Sequence, residues 1–324
     1  MKKLFWPSIG SAVLALLSSQ ASFAADAFPA RPIRIFVNTA PGGLTDVTTR
    51  LVAQKMSEIL KQSVIVENKA GGDGLIGIRA LKSAPADGYT LLASAGTMAF
   101  QMAVKQDPGY DLLKDSTGVG PIGRSPFLLV VEPKQPYKTL HELVAAAKAN
   151  PSAVTFASAG VGTAPHLATE MFMQQAGIKM MHVPYKGNGA AMPDVMAGRV
   201  TTIFEAYGSS SGKIKGGQLK VLAVSSTGRS ASLPDVPTFA EQGVPNYSYY
   251  TWLGLVAPTG TPKEAVQRLS DALRAAMADK AIQDRYRDDG LEAMNMTPDQ
   301  FNQFMEREIK QVSKLVTDLN IPKQ

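Results

Sequence analysis

The chain has 324 residues, of which 45% are hydrophobic, and it contains no cysteine, so disulfide bonds and thiolate chemistry are excluded. Its formal net charge is +6, and its basic residues are scattered without an aromatic-basic platform, which argues against nucleic acid as a partner. A mildly positive field of this kind suits anionic small molecules.

The N-terminus has the three parts of a secretory signal peptide. Lys2 and Lys3 form the charged start, the apolar stretch Ile9–Leu17 is too short to span a bilayer, and small residues precede a cleavage position after Ala24. We therefore predict a cleaved leader over residues 1–24 and a mature chain that works outside the cytoplasm. Removal of the two leader lysines lowers the formal charge to +4.

After the leader, short β-rich runs alternate with helical patterns, which predicts an α/β fold with largely parallel sheets. The predicted strands are Ile33–Val37, Val64–Glu67, Thr90–Ala93, Phe127–Val131, Val154–Ala157, Met181–Val183, Thr201–Phe204 and Leu219–Val224. The predicted helices are Asp46–Leu60, Gly77–Lys82, Leu140–Ala149, Pro165–Ala176, Ala190–Ala197, Lys263–Ala278 and Pro298–Thr317. The chain exceeds the usual size of one domain, so we expect two lobes, with the proline-containing stretch 225–250 as their connector.

The loop PGGLTD at residues 41–46 lies where the first predicted strand gives way to the first helix. Two glycines allow a tight turn with outward N–H groups, and Thr45 and Asp46 are residue types that cap helix starts. A helix N-terminus concentrates unpaired N–H donors and the positive end of the helix dipole, so this loop predicts a carboxylate site. The alternative is an ordinary Pro-Gly turn.

Two further loops follow predicted strands in the same way, SAGT at residues 94–97 and SAGVGT at residues 158–163. Ligands of open α/β sheets bind beyond the carboxyl ends of the strands, so three small-residue loops at those ends predict one polar pocket without a cofactor. Serine, threonine and glycine are also common turn formers, and that alternative stays open for each loop by itself.

Two enzyme-like glycine patterns lack the residues that would complete them. GDGLIG at 72–77 fits a dinucleotide fingerprint, but no acidic residue for the ribose follows the next strand. GSSSG at 208–212 fits the nucleophile elbow of hydrolases, which needs a later histidine, whereas His141, His166 and His182 all precede it. His166 and His182 also lack partners at metal-ligand spacing. We therefore predict no catalysis, no cofactor and no metal.

A series of motifs occurs in a fixed order along the chain. They are RPI at 31–33, PGG at 41–43 with Asp46, VENKAGGDG at 66–74, DGYTL at 87–91, residues 158–166, HVPYKG at 182–187, LAV at 222–224 and LPDVPT at 233–238. In these motifs the chain resembles the periplasmic solute receptors of tripartite tricarboxylate transporters, the Bug family. The resemblance covers nearly the whole mature sequence.

The resemblance implies a two-lobed, type II-like clamshell, each lobe a mostly parallel sheet flanked by helices. Lobe 1 would comprise residues 25–124 and 251–324, and lobe 2 residues 125–250. A monomeric receptor in the periplasm would bind an organic carboxylate between the lobes and pass it to the permease subunits of a separate membrane transporter. Aromatic dicarboxylates, short aliphatic dicarboxylates and tricarboxylates all stay open as ligands.

The resemblance also implies which residues contact the ligand. They are Pro41, Gly42, Gly43 and Thr45 in lobe 1, with Ser94 and Thr97 nearby, and Ser158, Gly162, Thr163 and His166 in lobe 2. Where many relatives have aspartate after Phe204, this chain has Glu205, which would bond an amine, hold a water or turn away from a dianion. Arg124 either pairs with a second carboxylate or is a solvated surface charge.

Two other classes of function stay open at this point. One is a hydrolase built on a similar α/β scaffold, which the incomplete motifs disfavour. The other is a receptor that binds the same ligand but presents its closed form to a membrane sensor for signalling.

Overall fold

The computed structural model describes residues 28–39, 41–42, 44–161, 163–318, 321 and 323. The predicted leader lies outside these residues, as do Gly43 and Gly162 of the predicted site. Backbone alone is described for Asp73, Ser94, Ala95 and Thr97. None of the described helices is long and apolar enough to cross a bilayer.

The described residues form an alternating series of strands and helices. The strands are β1 (Ile33–Val37), β2 (Val64–Asn68), β3 (Thr90–Ala95), β4 (Ser116–Val131), β5 (Thr155–Ser158), β6 (Met181–Pro184), β7 (Thr202–Ala206), β8 (Lys220–Val224), β9 (Tyr250–Pro258) and β10 (Glu292–Ala293). The helices are α1 (Leu44–Leu60), α2 (Leu75–Lys82), α3 (Gly96–Val104), α4 (Leu112–Asp115), α5 (Leu140–Ala149), α6 (Ala164–Ala176), α7 (Asn188–Met196), α8 (Tyr207–Lys215), α9 (Lys263–Met277), α10 (Lys280–Asp288) and α11 (Pro298–Asp318).

The long strand β4 joins two groups of strands. The strand order is β2-β1-β3-β9-β4-β7-β5-β6, and β8 and β10 each pair with β4. Between Ser116 and Pro126, β4 pairs with β9, whereas from Phe127 to Val131 it pairs with β7 and β8. We call the group with β1 to β3 and β9 lobe 1 and the group with β5 to β8 lobe 2. The residue boundaries predicted for the lobes stay a prediction.

The mixed α/β fold agrees with the sequence prediction, but the prediction of largely parallel sheets needs a correction. The pairs β1–β2, β1–β3, β5–β6 and β5–β7 are parallel. Strands β4 and β9 are antiparallel to each of their neighbours. The reason is topological, because β4 carries the chain from lobe 1 to lobe 2 and β9 carries it back, so the two run in opposite directions.

Each lobe has apolar clusters on both faces of its strands. In lobe 1, α1 and α9 cover one face, where Met56 and Leu269 pack with Ile35, and α3 and α11 cover the other face. In lobe 2, Phe172 of α6 packs on Phe204, and the opposite face is covered by α7. Burial of these large side chains, at roughly 1.5–3 kcal/mol each, stabilises both lobes.

Two glycines let α11 lie directly against β4 and β9. A Cβ atom at Gly254 would lie 2.2 Å from Phe301 Cζ, and one at Gly118 would lie 2.9 Å from Phe301 Cδ1. Phe301 is completely buried over these positions and meets the Trp252 ring edge-on at 5.8 Å between centroids. These glycines provide the space that the ring occupies, which explains their place in strands that they would otherwise weaken.

The stretch 225–250, predicted as a connector between lobes, is part of lobe 2. Phe239 and Tyr247 are buried in its core, and the Tyr247 hydroxyl donates to Ala168 O in α6 at 2.9 Å. The three prolines that indicated a connector therefore occur in a segment that is packed onto the lobe. The connections between the lobes are the strands β4 and β9.

Candidate functional site

The helices α1, α3, α6 and α8 begin at the carboxyl ends of β1, β3, β5 and β7. Phe100 of α3 in lobe 1 and Leu167 of α6 in lobe 2 lie in one buried cluster with Val316 of α11. This shared cluster brings helices of both lobes toward one cleft, where ligands of open α/β sheets bind. The cleft between these strand ends is the candidate site.

Asp46 fixes the loop after β1 from the inside. Its carboxylate accepts the Gly42 N–H at 2.9 Å, Arg50 Nε at 3.0 Å and Asn68 Nδ2 at 2.9 Å. Burial by itself would raise the pKa of Asp46, but the hydrogen bonds from Arg50, Gly42 and Asn68 outweigh burial and lower it. Asp46 is therefore an ionised anchor of the loop at neutral pH.

The loop residues themselves are only partly arranged as the sequence predicts. Pro41 and Gly42 are exposed, and Gly42 has a φ of +82°, a conformation that favours glycine. The Gly42 N–H, expected to face a ligand carboxylate, is directed at Asp46 in this structure. Thr45 is buried in the first turn of α1. Ser94 and Thr97 lie at the β3–α3 junction, as the sequence predicts.

Four buried side-chain oxygens have no hydrogen-bond partner among the described residues, and three of them lie at a strand end or a helix start: Asn38 Oδ1, Thr39 Oγ1 and Asn188 Oδ1. Asn38 and Thr39 directly follow β1, and Asn188 is the first residue of α7. Buried polar atoms almost always have partners, so these oxygens are available to a bound water or to a ligand. A threonine hydroxyl can donate to a carboxylate, and an amide oxygen can accept from water.

Sequence reasoning missed these three residues as candidates. Asn38 and Thr39 precede the PGG motif, and Asn188 follows HVPYKG, so each is next to a motif that the sequence analysis identified. The available signal was a short polar side chain at the end of a predicted strand or at a helix start.

In lobe 2, the loop after β5 is closed by its own hydroxyl groups. Ser158 Oγ accepts the Gly160 N–H at 3.1 Å and lies 2.6 Å from His182 Nε2. Thr163 Oγ1 donates to Gly160 O at 2.7 Å. The structure thus places Ser158 and Thr163 together, but each hydroxyl expected at the ligand has a partner within lobe 2.

His166 is a buried, uncharged residue of α6. Its ring stacks on that of His182 with 4.4 Å between centroids, and its Nε2 lies 3.5 Å from Glu170 Oε1. Burial, with a smaller effect from the charge of His182, lowers the pKa of His166 to about 4. Burial also disfavours the charged form of Glu170, and for a carboxyl group this raises the pKa. The His166 ring is therefore neutral at pH 7 and offers no positive charge to a carboxylate.

Glu205 is 5% exposed and is held at the start of α8. Its Oε1 accepts the Ala206 N–H at 3.0 Å and the Ser209 hydroxyl at 2.5 Å, and its Oε2 accepts Asn188 Nδ2 at 2.9 Å. A carboxylate is favourable at the positive end of a helix, and these bonds satisfy it locally. Contact between Glu205 and a ligand stays a prediction.

Arg124 has protein partners and is more than a solvated charge. Its Nε and Nη2 lie 2.8 and 2.7 Å from Glu292 Oε2, and its guanidinium lies 3.9 Å above the centre of the Tyr250 ring. It lines a cavity of about 460 Å³ between the lobes, together with Gly96 of α3 and Ala164 of α6. Among the predicted ligand residues whose side chains the structure describes, Arg124 alone lines this cavity.

The hydrolase-like motif has a structural role. Ser210 lies within α8, is completely buried and donates to Ala206 O at 2.7 Å, so it is not on an exposed strand-to-helix turn. The part of the chain that the structure describes also contains no group of three or more His, Cys, Asp or Glu residues placed to hold a metal ion.

The family model described as "Tripartite tricarboxylate transporter family receptor" matches residues 48–321. Protein BugT of Bordetella pertussis is 36% identical over 300 residues, which cover 92% of each chain. A solved R. palustris structure "with adipate" is 31% identical with a TM-score of 0.80 and covers 91% of this chain and 99% of that one. MatC from Rhodopseudomonas palustris "with bound malate" is 27% identical with a TM-score of 0.75. The match covers 89% of this chain and 100% of that one.

Proposed function

The chain belongs to the tripartite tricarboxylate transporter receptor family, and on this premise we propose that it is a periplasmic receptor that binds an organic carboxylate between its two lobes. The family consists of transport receptors and not of enzymes, as the sequence analysis predicts. We further propose that the ligand is a di- or tricarboxylate and that the loaded receptor, a monomer, delivers it to membrane permease subunits.

The observation that carries the proposal is the set of unpartnered buried oxygens on both sides of the cleft. Thr39 and Asn38 contribute from lobe 1, and Asn188 contributes from lobe 2. A ligand that engages both sets, directly or through water, stabilises the arrangement in which the lobes approach each other. An amide oxygen cannot donate to a carboxylate, so we expect water between them. One water can donate one hydrogen bond to the ligand carboxylate and another to the amide oxygen of Asn38 or Asn188.

Related proteins support the choice of ligand class. The two solved relatives contain adipate and malate, each of which carries two carboxylates. Arg124 lines the interlobe cavity together with Gly96 and Ala164, the first residues of α3 and α6. A second ligand carboxylate would compete with Glu292 for its guanidinium, which favours a ligand long enough to extend from the strand ends to β4.

We expect carboxylates to raise the melting temperature of the purified mature protein. A ligand that binds only the folded state adds about 2.7 kcal/mol at 100 times its dissociation constant. The panel contains malate, adipate, citrate and terephthalate, each with its uncharged amide as the matched control. Stabilisation by an acid and not by its amide supports the proposal, whereas a panel without any stabilising acid contradicts it.

Replacement of Arg124 by glutamine is expected to weaken dicarboxylate binding selectively. Loss of a charged hydrogen bond costs roughly 1.5–3 kcal/mol, so affinity for the dicarboxylate should fall about tenfold to a hundredfold while the matching monocarboxylate is spared. Glu292→Gln is the companion variant, because it removes the competing carboxylate and should strengthen dicarboxylate binding. Calorimetric titration of the unmodified protein and both variants with both ligands gives the six affinities. If Arg124→Gln lowers the affinity for both ligands equally, Arg124 does not bind the second carboxylate of the dicarboxylate.

A further inference from the structure

The loop that follows β5 is organised around one hydroxyl group. Ser158 is completely buried, and its Oγ accepts the Gly160 N–H at 3.1 Å. The Ser158 backbone oxygen accepts the Tyr185 N–H at 3.1 Å, and Ala159 O accepts the Gly187 N–H at 3.2 Å. Residues 158 and 159 are therefore attached to the segment that follows His182, and the Ser158 hydroxyl contacts both Gly160 of the loop and His182.

Two acceptors lie within reach of that proton, Gly160 O at 3.1 Å and His182 Nε2 at 2.6 Å. Gly160 O already accepts Thr163 Oγ1 at 2.7 Å and the Thr163 N–H at 3.3 Å. A carbonyl oxygen has two lone pairs, so these two bonds satisfy it. His182 Nε2 is the nearer acceptor and has a lone pair that no other described group uses, so the geometry favours an unprotonated Nε2 with the ring proton on Nδ1.

The His182 ring stacks against two neighbouring rings, which restrain its orientation. It stacks on Phe156 with 4.6 Å between centroids and an interplanar angle of 12°, and on His166 with 4.4 Å and 26°. Burial lowers the pKa of His182, which keeps the ring neutral and able to accept a hydrogen bond at neutral pH.

We propose that His182 is a positioning residue of the receptor, whose Nε2 accepts the Ser158 hydroxyl proton and thereby holds the loop after β5 in the shape that the carboxylate site requires. His182 acts through Ser158 and does not touch the ligand. The inference rests on the proposed function, because that function makes this loop the lobe 2 side of the site. It also changes the role of Ser158 from a ligand contact to a support of the loop.

The first test is the tautomer of His182, read from long-range ¹⁵N–¹H correlation spectra of the protein without ligand. The chain has only three histidines, which simplifies assignment. We expect an unprotonated Nε2 and a protonated Nδ1 at pH 7. The opposite tautomer would overturn the inference, since a protonated Nε2 cannot accept from Ser158.

The second test separates the hydrogen bond from ring packing. His182→Phe keeps a ring beside Phe156 and His166 but removes the acceptor. We expect the Gly160 amide to exchange with solvent about tenfold faster, the change that one lost hydrogen bond produces. His182→Gln restores an acceptor and should recover part of the protection, and His141→Phe, at an exposed position of α5, should leave it unchanged. Unchanged exchange in His182→Phe would reduce His182 to a packing role and contradict the inference.

The third test connects the loop to binding, with malate and adipate as the probes. His182→Phe should lower affinity about tenfold and Ser158→Ala at least tenfold, and the double variant should lose no more than Ser158→Ala alone, because that variant already removes the bond to His182. Additive losses, or unchanged affinity, would contradict the inference. If neither probe binds the unmodified protein, the proposed ligand class fails, while the tautomer and exchange results still decide whether His182 positions the loop.

Discussion

Replacement of Gly254 by valine is expected to lower the free energy of unfolding by about 3 kcal/mol or more. The first added carbon would lie 2.2 Å from Phe301 Cζ and 2.9 Å from its Cε1, far inside contact distance. Phe301 cannot move aside easily, because it is fully buried and stacks on Phe304 with 6.2 Å between centroids. We therefore expect the valine to displace α11 from β9.

Urea unfolding followed by circular dichroism measures this loss. The matched control is Gly212→Ala in α8, where an added Cβ has no neighbour within 4 Å. That change replaces glycine within a helix and should stabilise the protein by about 0.5–1 kcal/mol. Combining Gly254→Val with Phe301→Ala should cost less than the sum of the single changes, since the second removes the clash. A Gly254→Val protein as stable as the unmodified one would show that α11 does not pack as described.

The folded state is expected to lose roughly 2–3 kcal/mol of stability through His166 as the pH falls from about 6.5 to about 4. In the unfolded chain His166 takes up its proton near its ordinary pKa of 6.5, whereas burial and the charge of His182 lower the folded pKa to about 4. Between these values the unfolded state binds more protons, so stability rises with pH. Above about 6.5 both states are neutral at this residue and the effect is absent.

The comparison is between the unmodified protein and His166→Phe, by urea unfolding without ligand at pH 7, 5 and 4. The variant keeps a ring beside His182 but cannot titrate, so its stability should fall less over this range. His141→Gln is the control, because His141 is exposed. Glu170 has a raised pKa and changes stability in the opposite direction, but it is present in all three proteins. Parallel pH profiles for His166→Phe and the unmodified protein would contradict the assignment.

Segments with clear periodicity could be predicted from the sequence to the residue. The strand Ile33–Val37 and the helix Leu140–Ala149 have the predicted bounds. The helix begins with a capping box in which Thr139 and Glu142 bond each other's backbone, a signal carried by neighbouring residues alone. Where local sequence and tertiary packing favour the same structure, sequence reasoning is sufficient.

Other elements could not be predicted because tertiary packing decides them. Strand β9 and the first half of β4 contain glycines that hide the alternation of side chains, and their purpose becomes visible only when Phe301 is placed over them. Helix α8 contains the glycine- and serine-rich stretch 208–212, which favours a loop, yet buried Tyr207 and Ser210 anchor it to lobe 2. Local propensity is a weak guide when packing opposes it.

The candidate site also has a part that could be predicted from the sequence and a part that could not. Loops rich in glycine, serine and threonine were identifiable because those residue types accumulate at strand ends. The hydrogen-bond partners of these loops could not be identified from the sequence. His182 lies 24 residues from Ser158, and Asn188 lies 17 residues from Glu205. Contacts between residues so far apart in the sequence leave no periodic pattern. The hydrogen bonds that hold the loop after β5 could therefore be found only from the structure.

The antiparallel pair of β4 and β9 has a mechanical consequence for the cleft. The two strands pair from Ser116 to Pro126, and their register shifts near Gly118 and again near Pro121. Bulges of this kind increase the local twist of a strand pair. Any rotation of one lobe against the other would have to twist this two-stranded ribbon, so we expect the ribbon to resist such a rotation elastically.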